Sequence, residues 1–191
     1  YLKYSIQMPK SLNNILVTGG AGYIGSHVVE KLVKTKKNVI IIDNLDTGYE
    51  ILINKKAKFI KEDIKNKKKL EKIIKENNVD SVIHLAASLN VSEGEKNKKK
   101  YHRNNIIGTK NILDSCRNSN VKNIIFSSSC AVYGNVKGEV NENNRLKPIS
   151  YYGYTKLIGE KLIKKYKKRY LYNYGILRYF NVAGASSSGK I

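Results

Sequence analysis

Tyr152 and Lys156 place a phenol and an ammonium four residues apart, in Tyr152-Gly153-Tyr154-Thr155-Lys156. On a helix that spacing puts both side chains on one face, one turn from each other. A phenol with a reference pKa of about 10 is a poor base near neutrality. A cation about 4 Å away, at an effective dielectric near 20, contributes roughly 4 kcal/mol and would lower that value by about three units. A tyrosine lowered in this way can exchange a proton with an alcohol or sugar hydroxyl. Tyr133 and Lys137 repeat the spacing in a chain with 14 tyrosines, but they follow a strand pattern and fall in a Gly-containing loop. Tyr152–Lys156 instead opens a helical pattern. Ser129, the last of Ser127-Ser128-Ser129, adds a hydroxyl that can orient a substrate or relay its proton, although three adjacent serines are equally compatible with a polar loop.

A second group of residues points to a dinucleotide. The apolar run Ile15-Leu16-Val17 enters Thr18-Gly19-Gly20-Ala21-Gly22-Tyr23-Ile24-Gly25-Ser26-His27, and a helical pattern (Ile24, Val28, Val29, Leu32, Val33) follows. Glycines 19, 22 and 25 permit a tight turn, approach of a pyrophosphate to backbone N–H groups, and close packing of helix on strand. An ordinary glycine-rich turn would not need the acid that comes next. Asn38-Val39-Ile40-Ile41-Ile42-Asp43 reads as a buried strand whose terminal carboxylate lies where it can accept from adenosine ribose hydroxyls. A carboxylate there repels a 2′-phosphate, so NAD is favoured over NADP and a hydride carrier joins the proton carrier. An acid that merely opens the Asp43-Asn44 turn fits the same geometry.

The elements that must position these groups follow in order. Lys58-Phe59-Ile60-Lys61 is a short strand with acids at its exit, and a basic helix turns Leu70, Ile73 and Ile74 inward. Ser81 to Ala87 is a buried strand containing His84, which reads as structural rather than catalytic. Tyr101 to Arg117 is a long helix with Ile106, Ile107, Ile112 and Leu113 on its apolar side, preceded by a polar, exposed stretch from Glu93 to Lys100. Asn123 to Ser129 is a strand, 135–150 a loop, Tyr152 to Tyr170 a helix and Gly175 to Phe180 a further strand. Alternating strands and helices predict an α/β fold, a Rossmann-type doubly wound parallel sheet. The expected organisation is an N-terminal extension over 1–13 and one NAD-binding domain over 14–191.

Bulk properties narrow the partners. Lys plus Arg number 36 against 15 Asp plus Glu, a formal charge of +21. The lysines are scattered on helices and loops with no nucleic-acid motif beside them, so the charge reads as a solvated surface and no nucleic-acid partner is expected. Cys116 and Cys130 show no C-x-x-C or zinc spacing and read as ordinary thiols, which predicts no metal site and a reducing, cytoplasmic location. No apolar run reaches membrane-spanning length, and Tyr1 to Lys10 lacks the apolar core of a signal peptide. The chain opens on Tyr1 and its one methionine is Met8, which reads as a fragment or an inexact gene start.

Taken together, Gly19 to His27, Asp43-Asn44-Leu45, Asp63-Ile64, Ser127-Ser128-Ser129 running to Val132-Tyr133-Gly134, Tyr152-x-x-x-Lys156 and Arg178-Tyr179-Phe180-Asn181 resemble the extended short-chain dehydrogenase/reductase family. The resemblance covers the chain from Asn14 onward, and within the family the pattern looks most like the UDP-glucose 4-epimerases. It implies a tightly held NAD that takes a hydride from the sugar C4 and returns it to the other face of a 4-keto sugar, as in galactose metabolism. It also implies that Tyr152 deprotonates the C4 hydroxyl with help from Ser129, while Lys156 tunes Tyr152 and holds the nicotinamide ribose. Tyr23, Ile24, Asp43, Asn44, Leu45, Asp46, Thr47, Gly48, Asp63, Ile64, Leu85, Ala86, Ala87, Ser88, Leu89, Asn104 and Phe180 would contact NAD, and Asn181 the UDP-sugar.

Cys130-Ala131 replaces the acids that related sugar-nucleotide dehydratases and UDP-glucuronate decarboxylases carry, which argues against both. Leu89 stands where many epimerases have a lysine, and Tyr151 where a proline is usual. The family also has a C-terminal lobe for the uracil and sugar, which this chain lacks after Ile191. A homodimer packed as a four-helix bundle is implied, with Tyr101–Arg117 and Tyr152–Tyr170 as its candidate helices. Competing readings are a UDP-glucuronate or UDP-N-acetylhexosamine 4-epimerase, and a truncated, non-catalytic NAD-binding module. The intact Ser129, Tyr152 and Lys156 set argues against the last.

Overall fold

The computed structural model describes residues 13–119, 121, 123–170, 173–186, 189 and 191. All but Asn13 of the expected extension over 1–13 therefore lies outside the described residues. The elements run β1 (Asn14–Thr18), α1 (Tyr23–Val33), β2 (Asn38–Asp43), β3 (Lys58–Lys61), α2 (Lys67–Glu76), β4 (Ser81–His84), α3 (Val91–Lys96), α4 (Lys98–Tyr101), α5 (Gly108–Asn118), β5 (Asn123–Ser129), α6 (Tyr151–Tyr170) and β6 (Asn173–Tyr179). A π-turn, His102–Ile107, joins α4 to α5.

The β-branched runs form six parallel strands in the order β3-β2-β1-β4-β5-β6. Val17 of β1 is paired with Ile41 of β2 on one side and Ile83 of β4 on the other. The strand order therefore reverses at β1, and such a reversal opens a crevice at the carboxyl ends of the strands. Alternate side chains point to opposite faces. Leu16, Ile40, Ile42, Val82, Ile124 and Phe126 pack against Leu70, Ile74, Ile112, Leu113 and Ile163 of α2, α5 and α6. Ile15, Val17, Val39 and Ile41 pack on the other face against Val29 of α1. This is the expected Rossmann-type α/β sheet.

Two local expectations change. β4 ends at His84 rather than Ala87, because the chain then turns its N–H groups onto β1: Leu85 donates to the Thr18 carbonyl and Ala86 to the Thr18 hydroxyl. The long helix also begins as α4 and a π-turn, and that wider turn breaks the 3.6-residue repeat. Ile106 is buried as expected, but Ile107 is 39% exposed and faces away from the core.

His84 is structural, as expected. Thr18 Oγ1 lies 2.7 Å from its Nδ1 and Thr109 Oγ1 lies 3.0 Å from its Nε2. Thr109 donates its own proton to the Asn105 carbonyl, so His84 donates from Nε2 and accepts at Nδ1. Burial, with the nearby Lys156 charge, lowers its pKa to about 3 and keeps the ring neutral.

On the same side of the sheet, Asp114 of α5 ties three helices together. Its carboxylate accepts from Lys110 at 2.7 Å, from Lys67 of α2 at 3.2 Å and from the Tyr166 hydroxyl of α6. Burial works to raise its pKa, but these hydrogen bonds prevail and hold it at about 2. A carboxyl lowered in the folded state stabilises above the unfolded pKa and loses that stability as pH falls toward the folded value. After discounting for the half-exposed lysines, about 1–2 kcal/mol should disappear between roughly pH 4 and pH 2. Urea denaturation across that range should show the loss in the wild type, and a much smaller one in Asp114→Asn.

Candidate functional site

A cavity of about 530 Å³ opens at the carboxyl ends of β1, β2, β4, β5 and β6. Every residue expected at the site lines it except Leu45 and Asp63. Those two buttress its wall: Leu45 N–H donates to Asp43 Oδ1, and Asp63 Oδ2 accepts from the Asn44 amide at 3.1 Å. Ile42, Glu62, Ser127, Ser128, Tyr179 and Val182 also line it and were not among the expected residues. All six lie beside expected residues (Ile42 before Asp43, Glu62 before Asp63, Ser127 and Ser128 before Ser129, Tyr179 before Phe180, Val182 after Asn181), so proximity in the chain is the available signal.

At Gly19 and Gly25 the turn leaves no room for a side chain. Gly19 has φ +74°, and a Cβ there would meet the Ala86 backbone nitrogen at 2.7 Å. A Cβ at Gly25 would lie 2.0 Å from the Gly19 carbonyl oxygen, so only glycine lets α1 start this close to the end of β1. Gly22 caps α1 without a side-chain hydrogen bond, and the first turn carries no acidic residue. The first N–H groups of a helix have no intrahelical acceptor, and the helix dipole is positive at this end. The cradle fits an anionic diphosphate.

Asp43 holds the neighbouring loop onto that turn. Its Oδ2 accepts from Ala21 N–H at 3.0 Å and its Oδ1 from Leu45 N–H at 2.9 Å. Tyr49 N–H in turn donates to the Ala21 carbonyl. Asp43 thus does open a turn, and it lines the cavity as well. An ionised carboxylate has about four acceptor positions, which leaves two for a ribose diol.

The opposite wall is built by β5 and α6. Lys156 is buried, its Nζ donates to the Ser127 carbonyl at 2.8 Å, and it stands 5.8 Å from the centre of the Tyr152 ring. Burial alone brings its amine down to about 8. Burial also raises the Tyr152 phenol, while the Ser129 side chain pulls it back down and Cys130 adds to the rise. The expected lowering of Tyr152 by Lys156 is therefore reversed. The ammonium is directed at a carbonyl rather than at the phenol oxygen, and a phenolate here would lose its hydration.

The π-turn serves this wall from below. Asn105 accepts from Ser88 N–H at 2.8 Å and donates to the Ser88 carbonyl and to Thr155 of α6, while Asn104 donates to the Ser88 hydroxyl at 3.0 Å. Tyr133, the repeat of the Tyr-x-x-x-Lys spacing, is buried against Arg178 with Lys137 in an exposed loop, so that second pair is not brought together.

The lysine environment gives a direct measurement. The Lys156 amine should titrate near pH 8, charged below and neutral above, against about 10.4 for the surface lysines. Carbon-13 NMR of the reductively methylated chain, with Lys156→Met to assign the signal, reads this midpoint; a value near the surface lysines contradicts it.

Residues 15–191 match the NAD dependent epimerase/dehydratase family. A UDP-glucose 4-epimerase of Lactobacillus helveticus is 44% identical over 178 residues, covering 93% of this chain and 54% of the relative. The structure of UDP-glucose 4-epimerase from Brucella ovis in complex with NAD superposes with a TM-score of 0.89 at 40% identity, over 93% of this chain and 55% of that one. The UDP-N-acetylglucosamine 4-epimerase of Methanobrevibacter ruminantium, solved with UDP-N-acetylmuramic acid, gives 0.84 at 40% identity, over 90% and 56%. The chain spans about half the length of these relatives. With the glycine cradle, Asp43 and the Ser129–Tyr152–Lys156 wall all present within the matched span, the chain belongs to the NAD dependent epimerase/dehydratase family.

Proposed function

We propose that residues 14–191 form the NAD-binding part of a UDP-hexose 4-epimerase that interconverts UDP-glucose and UDP-galactose in galactose metabolism. The observation that carries this reading is the convergence, in one cavity, of an anion cradle, a ribose-accepting acid and a serine, tyrosine and lysine. Bound NAD would supply the hydride acceptor and donor. The amides at the start of α1 would bind its pyrophosphate, and Asp43 would accept from the adenosine ribose. Tyr23, Ile24, Asn44, Asp46, Thr47, Gly48, Ile64, Ala86, Ser88, Leu89, Asn104 and Phe180 would complete its envelope.

Tyr152 would take the proton of the sugar C4 hydroxyl as the C4 hydride leaves, and would return it when C4 is reduced on its other face. Ser129 would hold that hydroxyl, and Asn181 the UDP-sugar. Lys156, charged below about pH 8, would stabilise the phenolate and hold the nicotinamide ribose. A UDP-N-acetylhexosamine 4-epimerase is the second reading, favoured by the Methanobrevibacter likeness at the same 40% identity as the Brucella one. A homodimer through α5 and α6 is supported by the exposure of Ile107, just before α5, and of Tyr154 on α6, and a cytoplasmic location by two free cysteines. No described helix is long and apolar enough to cross a membrane.

The test uses the full-length product of the gene. Calorimetry should find NAD bound by the wild type and by Tyr152→Phe, and bound weakly or not at all by Gly25→Ala. Conversion of UDP-galactose to UDP-glucose should fall by about 10²–10⁴-fold in Tyr152→Phe. Wild type that fails to bind NAD, or Tyr152→Phe at full activity, would sink the proposal. Turnover of only the N-acetylated sugar selects the second reading.

A further inference from the structure

One buried charge cluster lies behind the cavity and is not used by the chemistry above. Glu160 falls one turn past Lys156, so Tyr152, Lys156 and Glu160 recur at four-residue steps along α6. Each faces one of the three serines at the carboxyl end of β5. Tyr152 and Ser129 line the same cavity, where the Ser129 side chain works to lower the phenol's pKa, Lys156 Nζ donates to the Ser127 carbonyl at 2.8 Å, and the Ser128 hydroxyl donates to Glu160 Oε1 at 2.6 Å.

Glu160 is in turn gripped from β6. Arg178 donates from Nε to Oε1 at 2.9 Å and from Nη2 to Oε2 at 2.8 Å, a bidentate fork whose carboxylate side is 1% exposed and guanidinium side 11%. Arg178 Nη1 reaches further, donating to the Tyr133 hydroxyl at 2.9 Å and the Glu142 carbonyl at 3.2 Å. The cluster therefore touches the residue before Ser129, the chain four residues after it, and the helix that carries Tyr152. A buried pair of this kind contributes little net stability compared with apolar packing, and its recurrent use is to fix one arrangement among several.

We propose that Glu160, with Arg178 and Ser128, is a positioning residue: it sets the register of α6 against the end of β5 and so holds the Ser129 hydroxyl against the Tyr152 phenol. This rests on the epimerase reading only in the role given to those two groups. The Tyr-x-x-x-Lys spacing is then the visible part of a longer Tyr-x-x-x-Lys-x-x-x-Glu pattern, whose third member works through a strand arginine.

The test reads the phenol itself and needs no turnover. Fluorotyrosine is incorporated throughout the chain, its lower ionisation range being compatible with the folded state, and Tyr152→Phe assigns the fluorine signal of Tyr152. Its ionisation midpoint is then compared in the wild type, Ser128→Ala and Glu160→Asp. Ser128→Ala removes one hydroxyl and leaves the ion pair intact, whereas Glu160→Asp keeps the charge on a shorter arm. The groups that face Tyr152 are Lys156 from its own helix, Ser129 and Cys130 from the end of β5, and Tyr101 from α4, and all four stay unaltered.

Loss of the Ser129 contact should raise the midpoint by about half a unit or more in both variants, because that contact favours the phenolate. A midpoint unchanged in Ser128→Ala, or a lower melting temperature with an unmoved midpoint in Glu160→Asp, overturns the proposal and leaves the cluster a structural one. Failure of the epimerase reading would show separately, as wild type that neither binds NAD nor converts a UDP-sugar.

Discussion

The approach of α1 to the end of β1 is the constraint on which the rest of the molecule depends. With 2.0 Å between a would-be Gly25 Cβ and the Gly19 carbonyl, the helix can begin where it does only because that atom is missing. From this contact the site grows outward. Gly19 lets the β4 exit lie against the turn, and the Ala21 amide and carbonyl fasten Asp43 and Tyr49. The result is a wall made largely of backbone, in which positive helix-end character faces the cavity with no acidic residue in the first turn of α1.

The opposite wall follows a different logic, since it is made of side chains whose charges are buried. Lys156 and Glu160 are both secluded from water, and each is satisfied by specific donors or acceptors. Burying a charge without such partners is costly, so these contacts restrict how the strand ends and α6 can move relative to one another. The rigid side of the cavity is thus the one that would face the reacting atoms.

Much of this was legible in the sequence because the informative interactions are local. The glycine turn, the acid after β2 and the Tyr152–Lys156 step are short-range patterns with a backbone meaning, and each of them appears on the cavity wall. The sign of the Tyr152 shift was not legible, because spacing gives the distance along a helix but not the direction a lysine takes or how much water the phenol loses. The role of Glu160 was hidden for a related reason. Its spacing from Lys156 is visible, but its partner Arg178 arrives from another strand, 18 residues later. The π-turn was hidden altogether: His102 to Ile107 contains no glycine or proline to mark a change of winding.

That turn makes chain length, more than side-chain identity, the variable to which one part of the site is sensitive. A π-turn is an α-helix carrying a surplus residue. Removing one residue between His102 and Ile107 would restore regular winding, yet would rotate everything before it by about 100° relative to α5. Asn104 and Asn105, which hold the Ser88 segment of the cavity, would turn off their partners while α5 stayed in the core. Homologues that differ by one residue here should therefore build this corner of the site from different side chains, even where the flanking helices align without gaps.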